Sequence, residues 1–215
     1  MYVTLGAIVV GVPVGILTAI FMARFCPDRV YGILKPAVEL LAGIPSVVYG
    51  FFGLVVMVPL IREHIGGTGS SMLTASLLLG MMILPTLISV AEAALRAVPN
   101  SYYEGALALG AGHVRSVFFT IVPAAKSGIM AAIILGMGRA VGETMAVIMV
   151  AGNQARMPAG LLEGVRTMTT NIVIEMGYAA DLHRDALIAT AVVLFVFILV
   201  INLMFSYLKG KVVQQ

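Results

Sequence analysis

The chain has 215 residues, 60% of them apolar and 11% charged, with a mean hydropathy of +1.06. Soluble domains carry about 25% charged residues and about 45–50% apolar residues even with glycine counted, so this composition excludes a soluble globule and, being rich in apolar residues, a disordered chain. One cysteine, Cys26, excludes an internal disulfide and a cysteine-based zinc site, and a net charge of +3 fits the basic cytoplasmic loops of a membrane protein better than a nucleic-acid partner.

A bilayer core about 30 Å thick is crossed by roughly 20 helical residues. Five apolar runs reach that length, at about 2–23, 40–61, 72–92, 128–151 and 186–208. They are continuous, which predicts helices rather than the alternating strands of a barrel. The expected fold class is therefore an all-α integral membrane domain in a lipid bilayer. Pro13, Pro45 and Pro85 fall inside these runs. Each predicts a kink, tolerated where neighbouring helices take up the freed carbonyl; the kinks serve a transport path or packing alone.

The loops assign an orientation. Segments 24–39 and 96–126 and the tail hold eight Lys and Arg residues, against four in 62–71 and 152–185. The positive-inside rule puts the eight in the cytoplasm, which places Met1 outside and the C terminus, Gln215, inside. No basic residue precedes the first run, so it is not a signal peptide. An upstream transmembrane helix is expected to be missing from the chain.

Loop 97–125 carries the sharpest local pattern. Ser101 followed by Glu104 predicts a capping box, with a short helix over about 102–109. Gly110 stands where a left-handed C-terminal residue is wanted, and a second helix is expected from Gly112–His113 to about Pro123. The first helix carries Ala106, Leu107, Ala108 and Leu109. So apolar a helix in water suits docking into a partner's groove or lying on the membrane surface.

Within the fourth run, Arg139 and Glu143 are four residues apart, which puts them on one helix face. A charge at mid-bilayer costs at least about 2.5–3.5 kcal/mol and marks a functional candidate. Three readings stand: a self-neutralising clamp, a contact between Arg139 and a translocating oxyanion with Glu143 holding the arginine, or a bridge to a partner permease. Gly136, Gly138 and Gly142 leave the same helix open to close approach. Glu39 and Glu92 are expected to be solvated at span ends, and Asn202 to bond between helices. His64, His113 and His183 are too scattered for a metal site. In the outer loop 152–185, Leu161, Val165, Met168, Ile172 and Met176 recur at helical spacing and predict an amphipathic helix at the outer mouth.

Loop 97–125 resembles the EAA motif of ABC-importer permeases. Glu104, Gly105 and Ala106 stand for Glu-Ala-Ala, Gly110 for the glycine, and Thr120-Ile121-Val122-Pro123 for the closing tetrapeptide. Gly105, Thr120 and Val122 depart from the pattern but stay small or apolar. Segments Gly43–Gly50, Gly138–Ala146 and Val165–Ile172 resemble the PstC-type permeases of phosphate importers. The resemblance implies a MetI-like bundle of five transmembrane helices with a cytoplasmic coupling helix. It also implies a PstA-type partner permease, a PstB-type ATPase dimer, a PstS-type phosphate-binding protein, and a multi-pass location in a bacterial or archaeal cytoplasmic (inner) membrane. A permease for molybdate or tungstate is the alternative, then a secondary transporter, which has no use for the EAA-like loop. The chain lacks a Gly-x-x-x-x-Gly-Lys-Ser/Thr loop and is expected to hold no cofactor and to act as no enzyme, with ATP used by the partner.

Overall fold

The computed structural model describes residues 1–213, with side chains through Met204. The basic side chains of Lys209 and Lys211 and the terminal Gln215, on which the cytoplasmic placement of the tail rests, lie outside the described residues. The named elements are all helical, and an isolated parallel bridge joins Gly152 to Val165.

Helix α1 (Tyr2–Ile20) ends in a π-helical turn (Phe21–Phe25), and α2 (Asp28–Gly43) follows. α3 (Ser46–Phe52), a π-helical turn (Gly53–Met57) and α4 (Val58–His64) form one continuous stretch. Pro45 does not kink a span. It is the N-cap of α3, in extended conformation, and it separates α3 from α2 within the apolar run 40–61. Pro13 and Pro85, in contrast, lie inside α1 and α5 (Met72–Arg96). Next come α6 (Asn100–Ala108), α7 (His113–Ser116), a π-helical turn (Val117–Ile121) and α8 (Val122–Ala124). α9 (Lys126–Gly142), α10 (Met145–Val150), α11 (Met168–Glu175) and α12 (Asp181–Val213) complete the order.

Among the described residues, four stretches are long and apolar enough to cross a membrane: Tyr2–Phe25, Ser46–His64, Met72–Arg96 and Asp181–Met204. A fifth arises if His113–Ala124 and Lys126–Gly142 count as one span, although their axes meet at 69°. α5 is buried along most of its length, whereas the described side chains of α12, Asp181–Met204, are little buried. An exposed face of that composition belongs against lipid or other membrane helices.

The chain forms two compact units. The first comprises Met1–Gly11, Ile44–Ile83 and Met137–Leu203. Here a Cβ on Gly11 would stand 2.9 Å from Ile83 Cδ1 and 3.0 Å from the Gly80 carbonyl oxygen, so only glycine lets α1 approach α5 this closely. Gly50 likewise meets the Ala146 backbone of α10. After α10 the chain covers the start of α5, whose first N–H groups would otherwise be orphaned. Val150 O accepts from Ser71 N, Glu163 O from Met72 N and Leu161 O from Leu73 N, at 3.1, 2.8 and 2.9 Å.

Those bonds correct the amphipathic helix expected over Leu161–Met176. Leu161 and Val165 lie in extended or turn conformation, and only Met168–Glu175 is helical. Their backbone groups bond to other segments instead, Leu161 O to α5 and Val165 N to Ala151 O at 2.8 Å. α11 starts at Thr167, whose hydroxyl accepts the Thr170 N–H. Arg166 fastens it, donating to Asn153 O at 3.0 Å and to Glu175 Oε1 at 2.8 Å.

The second unit comprises Val12–Gly43, Leu84–Gly136 and the chain from Met204 onward. Met22, Val38 and Ile88 form its apolar cluster, flanked by Tyr31, Leu34 and Leu84. Asn202, expected to bond between helices, is exposed on α12.

Candidate functional site

The segment with EAA-like spacing folds as a helix, a glycine turn and a second helix. α6 ends at Ala108, and Gly110 has φ +84°. Gly110 N donates to Leu107 O at 2.9 Å and Ala111 N to Ala106 O at 3.1 Å. This is the Schellman pattern, which needs a left-handed residue at Gly110. The capping box does not form. Pro99 is the N-cap, no side chain caps the helix, and Ser101 already lies inside α6. Proline's fixed φ sets the entry two residues earlier than the serine would. Glu104 is therefore simply exposed, as is Gly105.

No residue of α6 is buried. Tyr102 and Leu107 are exposed, and Leu109, just past its end, is 92% exposed. The helix is held from behind. Tyr103 Oη and His113 Nδ1 are 2.8 Å apart, and Phe25 meets the His113 ring edge-on with centroids 4.8 Å apart. Ile121 of the closing tetrapeptide is fully buried, whereas Pro123 is exposed.

Immediately before α6 lies a cluster that sequence reasoning missed. Glu92, expected to be solvated, is 2% exposed. Its carboxylate accepts from Tyr31 Oη at 3.0 Å, from Lys35 Nζ at 2.9 Å and from Arg96 Nε. A buried carboxylate is tolerable only with such donors, and Lys35 and Arg96 come from one turn of α2 and the next turn of α5. Bonding to Glu92 holds the Lys35 ammonium above the usual lysine range, and burial, aided by the same carboxylate, raises the Tyr31 phenol. Glu39 is exposed, 3.8 Å from Lys35. The signal available in the sequence was the i, i+4 pair of Glu92 and Arg96 at the end of an apolar run.

The fourth apolar run is broken where Arg139 and Glu143 were expected to share a helix face. α9 ends at Gly142 and α10 begins at Met145, so Glu143 lies in the break. Its Oε1 accepts the Ala146 N–H at 3.1 Å, and its carbonyl accepts from Thr169 Oγ1 at 3.4 Å. A carboxylate at the start of a helix satisfies one of the first free N–H groups, which competes with continuing the helix through Glu143. Arg139 stays in the last turn of α9, half-buried. Gly138 and Gly142 face open space, whereas Gly136 packs on Leu87. Glu143 lines a small cavity of about 40 Å³ with Thr4, Ala140, Thr167 and Thr169. Thr167 and Thr169 lie about 25 residues beyond Glu143 and Thr4 lies in α1, so no spacing along the fourth run points to them.

Comparison with known proteins bears on the family and the fold. Residues 11–214 match the family described as binding-protein-dependent transport system inner membrane component. A probable ABC transporter permease protein, YqgH of Bacillus subtilis, is 40% identical over 97% of this chain and 69% of its own length. The phosphate transport system permease protein PstC of Haemophilus influenzae is 34% identical over 88% of this chain and 67% of its own length. An inward-facing structure of the MetNI methionine ABC transporter superposes with a TM-score of 0.76 over 98% of this chain and 91% of that one; at 20% identity it shows the fold. The chain has a MetI-like helical fold and belongs to the family of binding-protein-dependent transport system inner membrane components, as a membrane-spanning permease subunit of an ABC transporter.

Proposed function

We propose that this chain forms part of the translocation path of an ATP-driven phosphate importer, with α6 as the helix that docks on the ATPase. The observation that carries the docking is α6 itself: a helix with no buried residue, closed by a left-handed glycine and presenting Tyr102, Leu107 and Leu109. Apolar side chains held at such exposure suit a groove in a partner. Ser101, Glu104, Gly105, Ala106, Gly110 and Pro123 belong to that surface or its supports. Phosphate as substrate is supported by relatives named phosphate transport permeases at 32–34% identity over most of the chain. In this reading the chain works with a PstA-type permease, a PstB-type ATPase dimer and a PstS-type binding protein, hydrolyses no ATP itself, and has its C terminus in the cytoplasm. Arg139 is the candidate contact for the passing anion, since a guanidinium fork matches phosphate oxygens.

The test is uptake of labelled phosphate by liposomes holding the full complex, with unlabelled phosphate, molybdate, tungstate and sulfate as competitors. Competition by phosphate alone is expected. ATP-dependent uptake of molybdate or tungstate with no uptake of phosphate would replace the substrate reading. Phosphate uptake that proceeds without the ATPase would remove the importer reading.

A further inference from the structure

Beyond the docking surface, the second unit contains a reciprocal exchange of arginines between two helix ends. Arg24, in the π-helical turn that ends α1, donates from Nη2 to Leu95 O at 2.7 Å and to Val98 O at 3.4 Å, at the end of α5. Arg96, in the last turn of α5, donates from Nη2 to Met22 O at 3.0 Å, at the end of α1. Each arginine thus satisfies carbonyls that the other helix leaves without an internal partner. Arg96 also bonds Glu92 and stacks over the Tyr31 ring at 4.2 Å, and Glu92 in turn holds Lys35. The ends of α1, α2 and α5 are tied through one set of polar contacts. Val98, held by Arg24, lies two residues before α6, with only Pro99 between them.

That position matters for motion. Glycine turns and short loops absorb displacement, but the link from α6 to Val98 is a single proline, whose ring fixes φ and removes one of its two soft dihedrals. A push on α6 therefore reaches Val98 O and Leu95 O directly. Arg24 Nε is buried with no acceptor among the described residues, so Nη2 makes the contacts that tie Arg24 to Leu95 O and Val98 O.

We infer that Arg24 and Arg96, the latter bonded to Glu92, are positioning residues that carry displacement of α6 into the C-terminal end of α1 and into α2. This rests on the reading of α6 as the ATPase docking helix. The geometry makes the contact two-way: each arginine is covalently part of one helix and bonded to the end of the other.

The experiment uses the complete complex in liposomes, with Arg24→Gln and Arg24→Lys. The readouts are phosphate moved per ATP hydrolysed, and nucleotide-driven changes in distance from spin labels on Asn100, exposed at the start of α6, and on Glu39 of α2 to a fixed site on the ATPase. Arg24→Gln should still hydrolyse ATP in response to the binding protein while phosphate moved per ATP falls about five- to tenfold, the low end of coupling between sites. The α6 label should shift with nucleotide as in the wild type, and the α2 label should stop following it. Arg24→Lys keeps the charge and reaches one carbonyl, so it should recover part of the ratio; it also serves if the Gln variant does not assemble. Wild-type ratios and a following α2 label in either assembled variant would overturn the inference. Failure of the wild-type complex to move phosphate would sink the substrate reading alone, because the label measurement needs only nucleotide. An α6 label that ignores nucleotide in the wild type would sink the docking reading, and this inference with it.

Discussion

Gly110 gives the most direct test of the turn that presents α6. Its φ of +84° lies where an L side chain costs about 1–2 kcal/mol, and only Asn or Asp among other residues visits it readily. A Cβ there would meet nothing within 4 Å, so crowding does not enter. If Gly110→Val keeps the turn, it bears that strain. If it releases the turn, it loses the bonds from Gly110 N to Leu107 O and from Ala111 N to Ala106 O, each contributing about 0.5–1.5 kcal/mol. Either route costs about 2 kcal/mol, a roughly 30-fold shift away from the native turn at about 1.4 kcal/mol per tenfold. Because α6 buries no residue, melting temperature should hardly move, while ATPase stimulation by the binding protein should fall. Gly110→Asn should retain most of the stimulation and Gly110→Ala should lie between. Gly105→Ala, in ordinary helical conformation with nothing within 4 Å, should be neutral or slightly stabilising. Equal behaviour of the Asn and Val variants would refute the argument, because only backbone conformation distinguishes them here.

Gly11→Val should destabilise the detergent-solubilised chain by about 1–3 kcal/mol, since its side chain would press on Ile83 and on the Gly80 carbonyl; thermal unfolding against Gly32→Ala, where nothing lies within 4 Å, checks this. Ser101→Ala should change helix stability by less than about 0.5 kcal/mol, because no side chain caps α6; a loss near 1 kcal/mol in the same unfolding assay would mean that a capping box forms in the assembled protein. A cysteine at exposed Met157 should react with an impermeant thiol reagent from outside, and one at Gly112 only after permeabilisation. The reverse pattern would invert the orientation and remove α6 from the ATPase side.

Features legible in the sequence were those set by local chemistry. Apolar runs gave helices, and Gly110 gave the left-handed turn, because backbone conformation there depends on one residue and its neighbours. The failures share a different cause. Ser101 lost the cap position to Pro99 through a two-residue change of helix start, a distinction that residue preferences resolve poorly. The 161–176 stripe had helical spacing, but Leu161 and Glu163 gave their carbonyls to the start of α5, a demand invisible from within the loop. Glu92 looked like a boundary residue because its donors Tyr31 and Lys35 lie about 60 residues earlier. Nothing in spacing along one helix reports a partner on another.

The break at Glu143 changes how the intramembrane charges should be tested. Had Arg139 and Glu143 shared an unbroken helix, neutralising both would remove a clamp at small cost. Instead Glu143 accepts the Ala146 N–H at the start of α10. A glutamine retains an acceptor oxygen, so Glu143→Gln should keep α10 in place and cost less than about 1 kcal/mol, whereas Glu143→Ala strips the cap and should cost about 0.5–2 kcal/mol. Arg139→Gln removes the one basic side chain within the 128–151 run. If Arg139 meets the anion, phosphate uptake should fall strongly in Arg139→Gln and should not return in the Arg139→Gln/Glu143→Gln double variant. Recovery in the double variant would identify a clamp, because only charge balance would have been restored. Assembly of each variant is checked first by copurification with the partner permease, since an unbalanced charge costing about 2.5–3.5 kcal/mol in the membrane can block insertion by itself. Glu143→Gln alone then separates the two roles left to the glutamate: wild-type uptake assigns it to the start of α10, and lost uptake with normal assembly assigns its charge to the path.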